Sequence, residues 1–372
     1  MTTCSPLDRE RLHEALSLAE GSIGLSEPNP RVGCVIGHAD GRVLARGFTQ
    51  EAGGPHAEIV ALNQARAAGL DVRGATAWVT LEPCAHHGRT PPCCDALVAA
   101  GLARVVIGIG DPFHLVAGRG VERLRAAGIT VDFADEDTAH ACRELNIGFH
   151  TRIEHGRPWV RLKVAASLDG RTALPDGTSQ WITGEPARTD GHAWRKRAGA
   201  VLSGIGTVLE DDPRLDVRLV PTARQPLRVV VDSHLMTPLN ARLLAPPGAV
   251  LVYGAADEPV RAQALMEHGA EVALLPGEHG KVDLAAMLAD LGRRGINELH
   301  VEAGHKLNAS LLRAGLVDEL LVYLAPTLLG DGREMAALGT LAALADAPRW
   351  RFTDLARVGE DIRLMARRAA AG

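Results

Sequence analysis

The sequence predicts two α/β domains joined in one chain. The chain has 372 residues, long for one domain and ordinary for two. Short apolar runs alternate with helical stripes along both halves, the pattern of sheets crossed by helices. A turn-forming stretch, Gly156-Arg157-Pro158, separates the halves. The expected domains are therefore 1–155 and 156–372. Aromatic residues are only 3%, so both cores must be built from Val, Leu, Ile and Ala. A net charge of -5 provides no basic field for nucleic acid. Six unevenly spaced cysteines in a chain of this size are not a disulfide scaffold. The first residues lack the basic and apolar regions of a secretory signal, and no apolar run reaches membrane-spanning length. A reducing cytoplasm is the expected compartment, and it would keep the thiols free.

In the first domain, Leu12, Ala15, Leu16 and Ala19 form the stripe of a helix near residues 8–18. Pro28-Asn29-Pro30 ends it, and the two prolines hold one amide side chain in a fixed backbone. Residues 32–36 and 42–48 read as strands joined at Asp40-Gly41, a hairpin signal. A helix is expected from His56 to about Gly69, then a strand over 76–81, a helix ending by Gly101 and a strand over 104–109. An amphipathic helix over 121–127 with Gly128 as its cap, and a strand over 129–133, complete a three-layer domain.

Chemistry concentrates between Pro55 and Cys94. Pro55-His56-Ala57-Glu58 precedes a run from Thr80 to Cys94 that contains Glu82-Pro83-Cys84 and Pro92-Cys93-Cys94. A His-x-Glu followed by Pro-Cys and a second cysteine is the equipment of a zinc-dependent deaminase. One imidazole and two thiolates hold zinc with a fourth position open to water, the catalytic rather than the structural pattern. His56, Cys84 and Cys93 are the expected ligands, with Cys94 the rival of Cys93. Glu58, two residues after His56, can reach the same water without binding the metal and move its proton to a leaving amino group. The eight residues between Cys84 and Cys93 exceed the usual spacing of two, and they carry His86, His87 and Arg89.

The second domain repeats the alternation. Strands are expected over 159–166, 199–203, 228–232, 249–252, 271–275 and 298–302, helices over 284–291 and 307–314, and a closing strand over 319–324. Glycines gather at two strand ends, Ser203-Gly204-Ile205-Gly206-Thr207 and Glu302-Ala303-Gly304. Such turns let a backbone approach a phosphate, but they also serve as plain turns, and the third glycine of the dinucleotide fingerprint is missing.

Pro28-Asn29-Pro30, His56-Ala57-Glu58 and the run from Thr80 to Cys94 together resemble the bifunctional deaminase–reductases of riboflavin biosynthesis. So do Val116-Ala-Gly-Arg-Gly120, Ser167-Leu-Asp-Gly-Arg171, Ser179-Gln-Trp-Ile-Thr183, Asp211-Asp-Pro213 and Gly315-Leu-Val-Asp-Glu319. The long gap between zinc cysteines is a feature of that family, and its spacing selects Cys93. The resemblance implies a cytidine-deaminase-like three-layer α/β/α domain followed by a dihydrofolate-reductase-like α/β domain. It implies zinc and NADPH as cofactors, a phosphoribosyl pyrimidine as substrate and a homo-oligomer as assembly. In the first site it assigns Asn29, His86, Arg89 and Asp111 to substrate. In the second it assigns Ser179, Arg195, Leu215, Arg218 and Glu302 to substrate, and Ala165, Trp181, Thr207, Asp211, Ser233 and Gly304 to NADPH. Lys163 belongs to a family motif without a defined role. The sequence departs from the family pattern at Thr49, Phe113-His114, Ala303 and His305-Lys306, none of them in the zinc set.

Overall fold

The computed structural model describes residues 4–85, 92–113 and 118–369. The chain divides into two compact units, Met1–Gly156 and Arg157–Gly372.

The first unit is a five-stranded sheet between two helical layers. Its strands are β1 (Gly33–Gly37), β2 (Val43–Phe48), β3 (Thr76–Val79), β4 (Arg104–Ile107) and β5 (Thr130–Phe133), in the order β2-β1-β3-β4-β5. β1 runs antiparallel to both neighbours, and β3, β4 and β5 are parallel. Successive side chains of a strand point to opposite faces. Cys34 and Ile36 accordingly join a core with Ala57, Ala61, Leu97 and Leu124, whereas Val35 joins Leu12, Ala15, Trp78 and Val106 on the other side. The first set belongs to helices α2 (Ala57–Ala67), α3 (Cys93–Ala99) and α4 (Arg119–Ala126), and the second is covered by α1 (Pro6–Ala19). Ser5 caps α1 by accepting from the Asp8 N–H. The buried Asp8 carboxylate also accepts from Trp78 Nε1 at 2.8 Å and from Arg104 Nη1 at 2.7 Å, which ties α1 to the sheet. A Cβ on Gly47 would stand 2.2 Å from the Ala57 carbonyl, so only glycine lets α2 lie this close to β2.

Two further helices, α5 (Glu136–Leu145) and α6 (Ile147–His155), follow β5. The sequence pattern did not suggest them, because both are short and largely polar. Asp135 starts α5 by accepting from the Thr138 N–H.

The second unit carries a nine-stranded sheet. Its strands are β6 (Trp159–Ser167), β8 (Ala200–Gly204), β9 (Leu227–Val231), β10 (Val250–Gly254), β11 (Ala270–Leu274), β12 (Glu298–Val301), β13 (Glu319–Ala325), β15 (Trp350–Val358) and β16 (Asp361–Arg368). β7 (Arg171–Ala173) and β14 (Arg333–Glu334) pair separately. The order is β11-β10-β9-β8-β12-β6-β13-β16-β15. The seven strands from β11 to β13 are parallel, and β16 and β15 are antiparallel additions. The sequence reading closed the set at 319–324, and the C-terminal hairpin corrects it. β15 is mostly exposed and mixes charged with apolar residues, so it lacks the apolar run of a buried strand.

Helices α7 (Glu185–Arg197), α8 (Ile205–Asp211), α9 (Pro259–Glu267), α10 (Leu284–Arg293) and α11 (His305–Arg313) complete this unit. One core joins Val229, Leu251 and Tyr253 to Met287, Leu288 and Leu311, and another joins Val230 and Val252 to Val208 and Leu265, so both faces of the sheet are covered. The sheet's centre also holds charge. Arg161, 2% exposed, donates to Glu298 at 2.8 Å and to Glu319 at 2.6 Å, and its guanidinium lies 4.4 Å from the centre of the Trp194 ring. Arg197 and Arg367 reach the same two carboxylates at 3.0 Å each. Among the described residues, no helix is long and apolar enough to cross a membrane.

Candidate functional site

Two helix starts build the first site. His56 is the N-cap of α2, and Cys93 opens α3 behind Pro92. Cys84 lies on the segment that leaves β3. His56 Nδ1 stands 3.7 Å from Cys84 Sγ and 3.3 Å from Cys93 Sγ, and the Cys93 N–H donates to Cys84 Sγ at 3.3 Å. Tetrahedral zinc with sulfur and nitrogen ligands has edges of about 3.6–3.8 Å, and the three donor atoms, all within 4.8 Å of one another, are close enough to share the ion. Cys94 turns away: its thiol donates to the Pro83 carbonyl at 3.1 Å, inside the apolar core. Electrostatics match the donor set. The two thiols share a proton, which holds Cys84 down to about 4, with help from His56, and pushes Cys93 up. A cation can take that proton's place.

Glu58, in the first turn of α2, is buried beside these ligands. Burial first, then the negative charge of Cys84, pushes its carboxyl up to about 7. A carboxyl near neutrality can both take and give a proton. Its cavity, about 370 Å³, is also lined by Asn29, Asp111, Phe113, Phe149 and Arg152. Burial raises Asp111 to about 6. His86 and Arg89 lie outside the described residues, as do His87 and His114.

Three devices around this cavity have roles that the sequence did not show. Glu82 caps the start of α4 by accepting the N–H groups of Gly118, Gly120 and Val121 at 3.1, 2.9 and 3.2 Å. Asn146 exchanges two hydrogen bonds with the Arg31 backbone, at 2.7 and 2.8 Å, and so fixes α6 against the segment that carries Asn29. α6 then brings Phe149 and Arg152 to the cavity, where Arg152 donates to the Pro28 carbonyl at 3.3 Å.

The second site is a cavity of about 590 Å³ at the C-terminal ends of β6, β8 and β12. Chain order reverses there: β8 leads outward to β9, β10 and β11, while β12 leads the other way, across β6 to β13. Open α/β sheets bind ligands at such points. Ala165, Ser179, Trp181, Arg195, Thr207, Asp211, Leu215, Arg218, Glu302 and Gly304 all line it, as do Lys163 and His192. Ser233 does not; its hydroxyl accepts from the Val282 N–H at 3.3 Å and its carbonyl from Ala255 and Ala256, one strand further out. Arg195 grips Glu302 with two bonds, at 2.5 and 2.8 Å, and donates to the Asp216 carbonyl at 2.9 Å. Burial alone would raise the Glu302 carboxyl, but Arg195 and Lys163 outweigh it and hold it well below its ordinary range. Leu215, buried at a φ of 53°, adopts a left-handed backbone that a leucine side chain disfavours, in the loop that Asp216 secures.

Residues 6–109 match the cytidine and deoxycytidylate deaminase zinc-binding region, and residues 158–364 match the RibD C-terminal domain. The chain is 45% identical to the riboflavin biosynthesis protein RibD of Escherichia coli, across 95% of this chain and 98% of that one. The chain belongs to the RibD family. RibD of Aquifex aeolicus is 40% identical, with 97% of this chain and 99% of that one covered. Acinetobacter baumannii RibD has the same architecture, with a TM-score of 0.88 at 40% identity over 98% of this chain and 99% of that one. A Thermotoga maritima diaminohydroxyphosphoribosylaminopyrimidine deaminase/5-amino-6-(5-phosphoribosylamino)uracil reductase gives 0.87 at 33% identity with the same coverage. This RibD-family chain is accordingly a bifunctional deaminase and reductase of riboflavin biosynthesis. Its first unit is the cytidine-deaminase-like domain, with a zinc-binding motif of His56, Cys84 and Cys93, and its second is the dihydrofolate-reductase-like domain.

Proposed function

We propose that the first site hydrolyses the C2 amino group of 2,5-diamino-6-(5-phosphoribosylamino)pyrimidin-4(3H)-one. The second then uses NADPH to reduce the ribosyl group of the product, 5-amino-6-(5-phosphoribosylamino)uracil, to ribityl. The observation that carries the reading is the convergence of His56, Cys84 and Cys93 beside Glu58 in a cavity walled by Asn29 and Asp111.

His56, Cys84 and Cys93 hold the zinc, which when bound supplies a Lewis acid able to acidify water at neutral pH. Glu58 takes the proton of the attacking water and delivers it to the departing amino group, so that water enters and ammonia leaves. Its buried position keeps bulk water from exchanging that proton. Asn29 and Asp111 hold the pyrimidine edge, and His86 and Arg89 serve the same substrate by family resemblance.

In the second site NADPH, when bound, supplies the hydride that reduces the opened sugar. Ala165, Trp181, Thr207, Asp211 and the Gly304 turn hold it, and Ser233, which does not line the cavity, is assigned to it by family resemblance alone. Ser179, Arg195, Leu215, Arg218 and Glu302 hold the substrate. Glu302 stays ionised between Arg195 and Lys163, so it orients rather than protonates, and catalysis here rests on positioning.

A coupled assay tests the reading. Protein given the diaminopyrimidine phosphoriboside should release ammonia and then oxidise NADPH. Ammonia release from cytidine but not from the phosphoriboside would refute the substrate assignment, and an NADH preference would refute the cofactor.

A further inference from the structure

His192 lies on α7, lines the reductase cavity and is only 4% exposed. Its Nδ1 stands 3.1 Å from the backbone nitrogen of Arg218, an N–H donor. A proton on Nδ1 would face that N–H directly, so Nδ1 must be the acceptor. Burial, Arg195 and Arg218 all oppose a second proton and push the ring down to about 4. The neutral ring therefore carries its one proton on Nε2. Nε2 stands 3.5 Å from Arg195 Nη1, which is also a donor. Two donors cannot satisfy each other, but one oxygen can lie within hydrogen-bond reach of both. The acceptors already in place are engaged elsewhere: the Asp216 carbonyl takes Arg195 Nη1 at 2.9 Å, and the Asp216 carboxylate takes Arg218 at 2.6 Å.

We propose that His192 Nε2–H is a third donor, beside Arg195 and Arg218, to the phosphate of the reductase substrate. The inference rests on the reductase reading above. A neutral donor suits the position, because it adds a bond to the anion without adding charge repulsion between the two guanidinium groups. The same ring also holds the Arg218 backbone, so His192 positions one phosphate ligand while being another.

Two roles must be separated, anchor and donor. His192→Asn keeps an acceptor near Nδ1 and loses the Nε2 donor. His192→Gln extends an amide donor toward the Nε2 position, and His192→Leu loses both. We would measure NADPH oxidation with the phosphoribosyl uracil and with its dephosphorylated form, using ammonia release by the deaminase domain and thermal melting as folding controls. Expected is a KM for the phosphorylated substrate raised about tenfold in Asn and Leu, restored to within about threefold in Gln, with kcat and the dephosphorylated KM little changed. An Asn variant that matches wild type, or a KM that rises equally for both substrates, would overturn the donor role. Calorimetry with inorganic phosphate separates this from the substrate reading. Wild type that fails to oxidise NADPH, yet binds phosphate about tenfold more tightly than His192→Asn, refutes the substrate and supports the anion site. Equal phosphate affinity in the two proteins refutes the anion site.

Discussion

Glu58 and Glu302 are both glutamates held inside cavities, and they end in opposite states. Burial pushes each carboxyl upward. Beside Glu58 stands the Cys84 thiolate, which adds to the rise, so the group titrates at about 7. Beside Glu302 stand Arg195 and Lys163, which reverse it. Neighbouring charge, not burial, decides whether an enclosed carboxylate can transfer protons or only hold a partner. The deaminase site needs the first kind, because water must lose a proton as the amino group gains one. The reductase site needs the second, because its chemistry asks for placement.

The sharpest way to break that contrast is to remove charge from one glutamate at a time. Glu58→Gln should lower deaminase kcat by roughly 10²–10⁴-fold, the usual share of a general acid–base. Zinc content should remain, and so should NADPH oxidation with the deaminated substrate, since Glu58 belongs to the other unit. Ammonia release at near wild-type rate would show that another group moves the proton.

Glu302 is best probed through its partner. Arg195→Met leaves the carboxylate enclosed with Lys163, 3.9 Å away, as its one remaining cation, beside the buried His300 ring at 3.2 Å. Losing one member of a buried pair costs roughly 3–5 kcal/mol, so the reductase unit should unfold at lower urea while reductase KM rises. The pH sign follows from the depressed carboxyl. The unfolded group binds its proton near 4.5 and the folded one only at lower pH, so the stabilisation is complete above 4.5 and is lost as pH falls below it. In wild type, denaturation followed by a probe in this unit should therefore steepen below that pH, and Arg195→Met should flatten the dependence. An unchanged acid limb would mean that other carboxylates govern it.

Arg161 offers a buried network with no cavity attached. It joins Glu298 and Glu319 across adjacent strands. Arg161→Met should cost roughly 3–5 kcal/mol of stability by stranding those carboxylates, with deaminase kcat unaltered. The expected loss is at the lower end of that range, because Arg197 and Arg367 remain bonded to the same pair. A loss below about 1 kcal/mol would show that these two suffice.

How far each site was legible in the sequence follows from how its parts are spread. His56, Glu58, Cys84 and Cys93 fall within 38 residues and are soft or titratable groups rarely clustered by chance, so their chemistry was readable without a fold. The proposed reductase contacts run from Ala165 to Gly304, and those that line the cavity meet only because parallel strands end together at β6, β8 and β12, so beyond the two glycine turns they were reachable through family resemblance alone. The strands with apolar runs were readable in both units. α5, α6, α7 and β15 were not, since each is short or predominantly polar and holds its place through tertiary contacts. Asn146 illustrates the gap, because its value lies in a pairing with Arg31, 115 residues away. Glu82 is similar: it reads as part of the zinc motif, yet it works by collecting backbone N–H groups at the start of α4.

Cys93 and Cys94 allow the smallest and cleanest test of the metal centre. They are adjacent and both buried, so sequence spacing separates them only through the family's pattern. Geometry separates them directly, with one thiol 3.3 Å from His56 Nδ1 and the other donating to the Pro83 carbonyl. Cys93→Ala should abolish stoichiometric zinc and deaminase activity together. Cys94→Ala removes a thiol from the core cluster and should cost only about 1 kcal/mol, with one zinc per chain retained and deaminase kcat within about twofold. Metal analysis of the two purified variants reads the difference, and zinc lost from Cys94→Ala but kept by Cys93→Ala would reverse the assignment.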